Sequence, residues 1–149
     1  YGAYSYLTAD RHLGTFMMRF YPSVADTVPA IALCDELFTA LVRDGVTEEE
    51  VAGAQRYLTH SHVFALETAE KELRERLGGR LQGRPDDWLE TYTERLGALT
   101  ADQVNAAIQA HLQPDHVLVT VVATADDIQG DLETWGRGGR PEVVDHRQV

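Results

Sequence analysis

Residues 26–81 carry two long helical patterns separated only by Asp44-Gly45-Val46. No other stretch restricts the fold as strongly, because helices this long draw most of their stability from an apolar surface to lie against. The first pattern sets Val28, Ile31, Cys34, Leu37, Phe38 and Leu41 along one side at helical spacing. The second opens on Thr47-Glu48-Glu49-Glu50. Thr47 is suited to cap the orphan N–H groups while Glu50 reaches back to the cap. It continues through Val51, Ala54 and Leu58. Pro29 fits the first helix in its opening turn, where its missing N–H would have no intrahelical acceptor. The spacing therefore predicts a start at Asp26 or Thr27 and a stop at a left-handed Gly45.

Strand-like segments flank this pair and need the cover that its apolar face offers. Tyr1-Gly2-Ala3-Tyr4-Ser5-Tyr6-Leu7-Thr8 is aromatic-rich and roughly alternating, and Thr15-Phe16-Met17-Met18-Arg19-Phe20-Tyr21 reads as its hairpin return. His116-Val117-Leu118-Val119-Thr120-Val121-Val122-Ala123 is the strongest strand pattern, with valines dense enough for a strand buried on both faces or central in its sheet. Between these lie helical pieces. A break is predicted near Leu66-Glu67-Thr68. Beyond it Glu70 to Arg76 form a solvated face with i,i+4 pairs, and Leu73 and Leu77 face inward. Gly83-Arg84-Pro85 punctuates the chain, and Pro85-Asp86-Asp87 opens a short helix bearing Trp88, Leu89, Tyr92 and Leu96. Thr100-Ala101-Asp102-Gln103 is a second capping box, and Thr124-Ala125-Asp126-Asp127 begins a last short helix. The pattern predicts an α+β fold: a largely antiparallel sheet covered on one face by helices. Residues 1–135 read as a single domain, and residues 136–149 as a glycine-rich linker with a tail that includes Glu142-Val143-Val144 as an edge strand.

Charge narrows the partners. The formal charge is −11, from 24 acidic and 13 basic residues. Such a chain repels a phosphate backbone instead of releasing its counterions, which argues against nucleic acid and against an anionic membrane surface. No apolar run approaches the ~20 residues that span a bilayer, so no membrane insertion is predicted. No signal peptide opens the sequence. Its first residue is Tyr and not Met, which predicts that a natural N-terminus has been removed. Cys34 is the single cysteine, so no internal disulfide forms. Its place on the apolar stripe makes it a small buried hydrophobe.

Six histidines invite a metal reading, but their spacing opposes it. His60 and His62 stand two apart on a helix and so point about 200° apart around its axis. Two ligands for one zinc on a helix need i,i+3 or i,i+4 spacing. Neither H-E-x-x-H nor H-x-x-E-H occurs. The pairs Asp86-Asp87 and Asp126-Asp127 suit helix starts, and Arg11 and His12 read as solvated loop residues. The residues predict no catalytic group and no metal ligand.

The order of the pieces carries a resemblance. The hairpin beginning Tyr1-Gly2-Ala3-Tyr4-Ser5 is followed by Asp44-Gly45-Val46-Thr47-Glu48-Glu49-Glu50, then by Ala54-Gln55-Arg56-Tyr57-Leu58 and Gly83-Arg84-Pro85-Asp86-Asp87-Trp88. Leu99-Thr100-Ala101-Asp102-Gln103-Val104 and the valine-rich run come last. Over roughly residues 1–124 the sequence resembles the C-terminal domain of the insulinase/pitrilysin family of zinc peptidases, in its bacterial form related to mitochondrial processing peptidase.

The resemblance implies one of two similar α+β domains that close into a clam-like chamber around a peptide substrate. The family's H-x-x-E-H motif belongs to the other, N-terminal type of domain. Zinc is therefore expected in an N-terminal peptidase domain or partner subunit and not in this chain. The family also uses an Arg and a Tyr that hydrogen-bond substrate near the zinc. Tyr1 matches that tyrosine, and its partner Arg would fall upstream. A phenol suits the task because it donates a hydrogen bond to a developing oxyanion. The expected role is a non-catalytic, substrate-binding wall, with a scaffold of the same fold lacking peptidase activity as the alternative. The family domain begins with more strand and helix than is present here, so the sheet should be short. Its raw edge would be left for another copy, as a homo-oligomer, or for a cut-away segment to cover.

Overall fold

The computed structural model describes residues 2–9, 12–137 and 139–145. Strand β1 (Ala3–Ala9) and strand β2 (Gly14–Phe20) pair antiparallel, with Leu7 opposite Phe16 and Ser5 opposite Met18. Six helices follow: α1 (Val24–Asp44), α2 (Glu48–Ala65), α3 (Ala69–Leu81), α4 (Trp88–Gly97), α5 (Ala101–His111) and α6 (Ala125–Trp135). The fold is α+β, and among the described residues its sheet has two strands.

Local signals set most helix boundaries. Thr47 Oγ1 accepts from the Glu50 N–H at 3.2 Å while Glu50 Oε2 accepts from the Thr47 N–H at 2.7 Å, so both halves of the capping box form. Thr100 and Gln103 repeat the arrangement at 3.2 and 2.9 Å. Thr68 Oγ1 caps α3 through the Lys71 N–H at 3.2 Å, after the break at residues 66–68. The start of α1 differs from expectation. Ser23 is the cap: its Oγ accepts from the Asp26 N–H at 3.3 Å and donates to Asp26 Oδ2 at 2.7 Å. Pro29 therefore lies beyond the first turn, and the Ala25 carbonyl loses its i+4 donor. Gly45 ends α1 at φ 72° and ψ −161°, a positive φ outside the left-handed helical well.

Helix α1 holds the centre. Its Thr27, Ile31 and Phe38 are buried, as is Ile128 of α6, and α5 and α6 pack along it. The Phe16 ring of β2 stacks on Phe38 with centroids 5.6 Å apart and planes at 17°. Phe16, Met18 and Phe20 alternate as the half-buried side of β2, which is the sheet's contact with the helices. Helices α2, α3 and α4 form a second cluster.

Two amide side chains join these clusters. Asn105 of α5 accepts from the Val46 N–H at 2.7 Å through Oδ1 and donates to the Val46 carbonyl at 3.0 Å through Nδ2. Gln55 Nε2 of α2 donates to the Leu96 and Leu99 carbonyls at 2.8 and 2.9 Å. Gly45 is required here for a second reason. A Cβ at that position would lie 2.4 Å from Asn105 Oδ1.

Several apolar expectations are not met. Residues 116–123 form no strand among the described residues, and Val122 is 99% exposed. Strand identity depends on a paired neighbour, and no described segment lies alongside to supply one. Residues 142–144 likewise form no strand. Leu73 and Leu77 of α3 and Leu37 of α1 face outward, because no described element covers those helix sides. Cys34 is half-buried, and that burial pushes its thiol pKa up. The chain exposes 11741 Å². A compact monomer of this mass exposes about 7,600 Å².

Candidate functional site

The end of α3 builds a cleft against the start of α4. Gly83 follows the last turn at φ 75°. Its N–H reaches the Arg80 carbonyl at 3.1 Å, and the Arg84 N–H reaches the Gly79 carbonyl at 2.9 Å. This paired closure needs a residue free to adopt positive φ, which glycine supplies. It turns the chain back across the helix end and sets Arg84 against the next helix.

There the Arg84 guanidinium lies 4.7 Å from the Trp88 ring centroid, and Arg95 approaches the same indole at 5.8 Å. Arg95 is tied to Thr91 Oγ1 at 2.8 Å and to Asp87 at 3.3 Å. Asp87 thus spends its carboxylate on Arg95 and makes no side-chain bond to the α4 N-terminus. Arg76 bridges Glu90 at 2.7 Å and Glu72 at 2.9 Å. Glu90 first, then Glu72, raise the Arg76 pKa, and Arg76 holds the Glu90 carboxyl below the ordinary range. Arg84 makes no ion pair among the described residues, so its charge is held by the indole face alone. The cleft has a volume of about 280 Å³, with Gly79, Arg80, Arg84, Pro85, Trp88 and Leu89 among its lining residues.

An aromatic ladder continues inward. Trp88 meets Tyr92 edge-on at 6.1 Å, and Tyr92 stacks on His62 at 4.4 Å. His62 Nε2 is buried without a hydrogen-bond partner among the described residues. His60 is exposed, so the two imidazoles diverge as their spacing predicts.

The remaining sequence-derived residues scatter. Tyr1, the substrate-binding residue that the resemblance implies, lies outside the described residues, as does Arg11. His12 is exposed beside the hairpin turn, far in the chain from the cleft. Asp126 and Asp127 occupy the first turn of α6, where carboxylates complement the helix dipole. Gly136 caps α6, and Arg137 behind it pairs with Asp35 and donates to Thr39 Oγ1 at 3.3 Å and the Pro114 carbonyl at 3.1 Å. The predicted linker thus begins with an anchor on α1.

The cleft sets an indole beside guanidinium groups, which are chemically suited to apolar contact and to hydrogen-bonding a carbonyl or carboxylate. Among the described residues, no group of three or more His, Cys, Asp or Glu side chains is placed to hold a metal ion. Sequence reasoning missed the Arg84–Trp88 stack. Its signal was an arginine four residues before a tryptophan across a Gly-x-Pro turn. Among the described residues no helix is long and apolar enough to cross a membrane. The chain matches no protein-family model and no curated protein.

Proposed function

We propose that this chain is a non-catalytic, substrate-binding wall of an insulinase-family zinc peptidase, with the zinc held by an N-terminal type of domain or a partner subunit. One observation carries the reading. The fragments that bear the resemblance are distant in sequence but meet in space. Val46, next to Thr47-Glu48-Glu49-Glu50, is gripped by Asn105, next to Thr100-Ala101-Asp102-Gln103-Val104, across 59 residues. Gln55 of the Ala54-Gln55-Arg56-Tyr57-Leu58 fragment bonds Leu99 across 44 residues. That shared junction supports reading the fragments together, as parts of one fold. On this reading the hairpin is part of a larger antiparallel sheet, and Tyr1 is the tyrosine that would hydrogen-bond the peptide substrate. The α3–α4 cleft gives a peptide side chain an indole to lie on and a guanidinium to bond.

The parent protein, purified with any chain that accompanies it, tests the proposal. Hydrolysis of quenched fluorescent peptides is expected, abolished by a zinc chelator and restored by zinc, with an H-x-x-E-H outside residues 1–135. Stoichiometric zinc held by the present chain alone would overturn the reading. A parent complex with neither that motif nor hydrolysis would point instead to the scaffold of the same fold.

A further inference from the structure

Arg84 is pinned along its whole length, yet the donors at its tip are left unused. Its backbone N–H closes on the Gly79 carbonyl at 2.9 Å. Its stem lies over the buried Gly79, where a Cβ would stand 3.7 Å from Arg84 Cδ. Its guanidinium then rests on the Trp88 indole, 4.7 Å from the ring centroid. Such stacking occupies the face of the ion, whereas its N–H groups point outward in its plane. Each neighbouring guanidinium has a carboxylate: Arg76 that of Glu90 at 2.7 Å, Arg95 that of Asp87 at 3.3 Å, Arg80 that of Asp86 at 3.5 Å. Arg84 alone of this group has none among the described residues.

We infer that this cleft takes the C-terminal carboxylate of a peptide ending in an aliphatic residue. The carboxylate sits on the edge of the Arg84 guanidinium, and the side chain lies against Leu89 and the part of the indole that Arg84 leaves bare. The inference rests on the peptide-binding reading of this cleft and adds which part of the peptide is held. Three observations select that ligand. A carboxylate is planar and meets a guanidinium edge through two parallel bonds, and a stacked arginine is already oriented for them. It also carries a single charge, while Glu75 and Asp86 line the same cleft and oppose a doubly charged phosphate. Size is the third. The cleft's volume of about 280 Å³ falls just short of the ~300–1,000 Å³ of sites for larger ligands, which leaves room for one residue. A chain end brings its carboxylate and its side chain on one carbon. An internal Asp or Glu brings a carboxylate with no apolar group of its own.

Titration of the full chain tests it, followed by nuclear magnetic resonance at the Trp88 indole N–H and the Arg84 Nε–H. The probes are N-acetyl-leucine, N-acetyl-leucinamide and N-acetyl-glutamyl-leucinamide, the last with its carboxylate on a side chain. N-acetyl-leucine is expected to move both resonances, with a dissociation constant roughly 10- to 100-fold below that of its amide. That constant should rise with salt. Arg84→Gln should erase the preference for the acid, and Arg84→Lys, which keeps the charge without the planar fork, should lose most of it. Arg74→Gln removes the same charge from the exposed pair with Glu70 and should keep the preference intact. The closure on Gly79 is a backbone bond that all three variants retain, so their helical circular dichroism should match the wild type. Equal affinity for acid and amide overturns the inference. So does tighter binding of the glutamyl probe or of inorganic phosphate, or an unchanged preference in Arg84→Gln. Hydrolysis by the parent complex is scored apart: preference without hydrolysis removes the peptidase reading alone, and hydrolysis without preference removes this inference alone.

Discussion

Gly45→Ala and Asn105→Ala, made singly and together, probe the joint between the helix clusters. Asn105→Ala removes two hydrogen bonds of 2.7 and 3.0 Å and leaves the half-buried Val46 amide and carbonyl without those partners. At ~0.5–1.5 kcal/mol per bond, the loss is roughly 1–3 kcal/mol. Gly45→Ala suffers twice. Its φ of 72° with ψ −161° belongs to a region essentially reserved for glycine, worth about 1–3 kcal/mol. Its new Cβ would sit 2.4 Å from Asn105 Oδ1, so the amide must move and give up its bonds. Overpacking of that kind adds about 1–3 kcal/mol. In the Asn105→Ala background the clash is gone and only the backbone strain remains. The double variant should therefore be about 1–3 kcal/mol more stable than the sum of the single losses implies. Urea unfolding followed by far-ultraviolet circular dichroism measures all three. Additivity within ~0.5 kcal/mol would refute the reasoning, because it would mean that position 45 and the Asn105 amide do not share the same space.

Replacing Thr47 or Thr100 by Ala should each lower stability by about 1 kcal/mol, read as a melting temperature lower by about 2–4 °C; an unchanged melt would mean the caps are not formed. His62→Phe keeps a ring on Tyr92 while removing the buried nitrogen that lacks a partner, so denaturant midpoints should hold or rise, by up to ~1 kcal/mol. On acidification, Glu50 and Glu90 have pKa values held below the ordinary 4.5, Glu50 first by the Thr47 N–H and Glu90 first by Arg76. Lowered folded-state values mean that their contribution is complete above about pH 4.5 and is lost as pH falls through the depressed values. Thermal melts from pH 6 to 3 should show that decline. Glu50→Gln should flatten it, and an equal slope in the variant would argue against the assignment.

The helices were legible because their signals are local. Thr47 with Glu50, Thr100 with Gln103, and Thr68 each act within a single turn, and each caps where the spacing indicates. The start of α1 was misplaced because Pro29 weighed more than Ser23 and Asp26, whose reciprocal bond is equally local. What failed depends on distant chain. A valine run becomes a strand only beside another strand, and Leu73 and Leu77 become core only under a covering element; neither is present among the described residues. The contact between Asn105 and Val46 spans 59 residues, beyond any periodicity. The cleft was half legible: Gly83-Arg84-Pro85 announced a turn, but not that the turn would lay a guanidinium on Trp88.

The links from the α1–α2 turn to α5, and from α2 to the end of α4 and Leu99, consist of neutral amides. Neither Asn105 nor Gln55 gains or loses a proton over any pH a cell meets, and neither relies on a counter-charge that ions could compete for. Acid or brine can strip the arginine–carboxylate pairs from the outer helices while this pivot keeps its hold. A stress that loosens the molecule should accordingly unravel α3 and the first turns of α4, and leave α1, α2, α5 and the end of α4, where Gln55 holds the Leu96 carbonyl, clasped until the end.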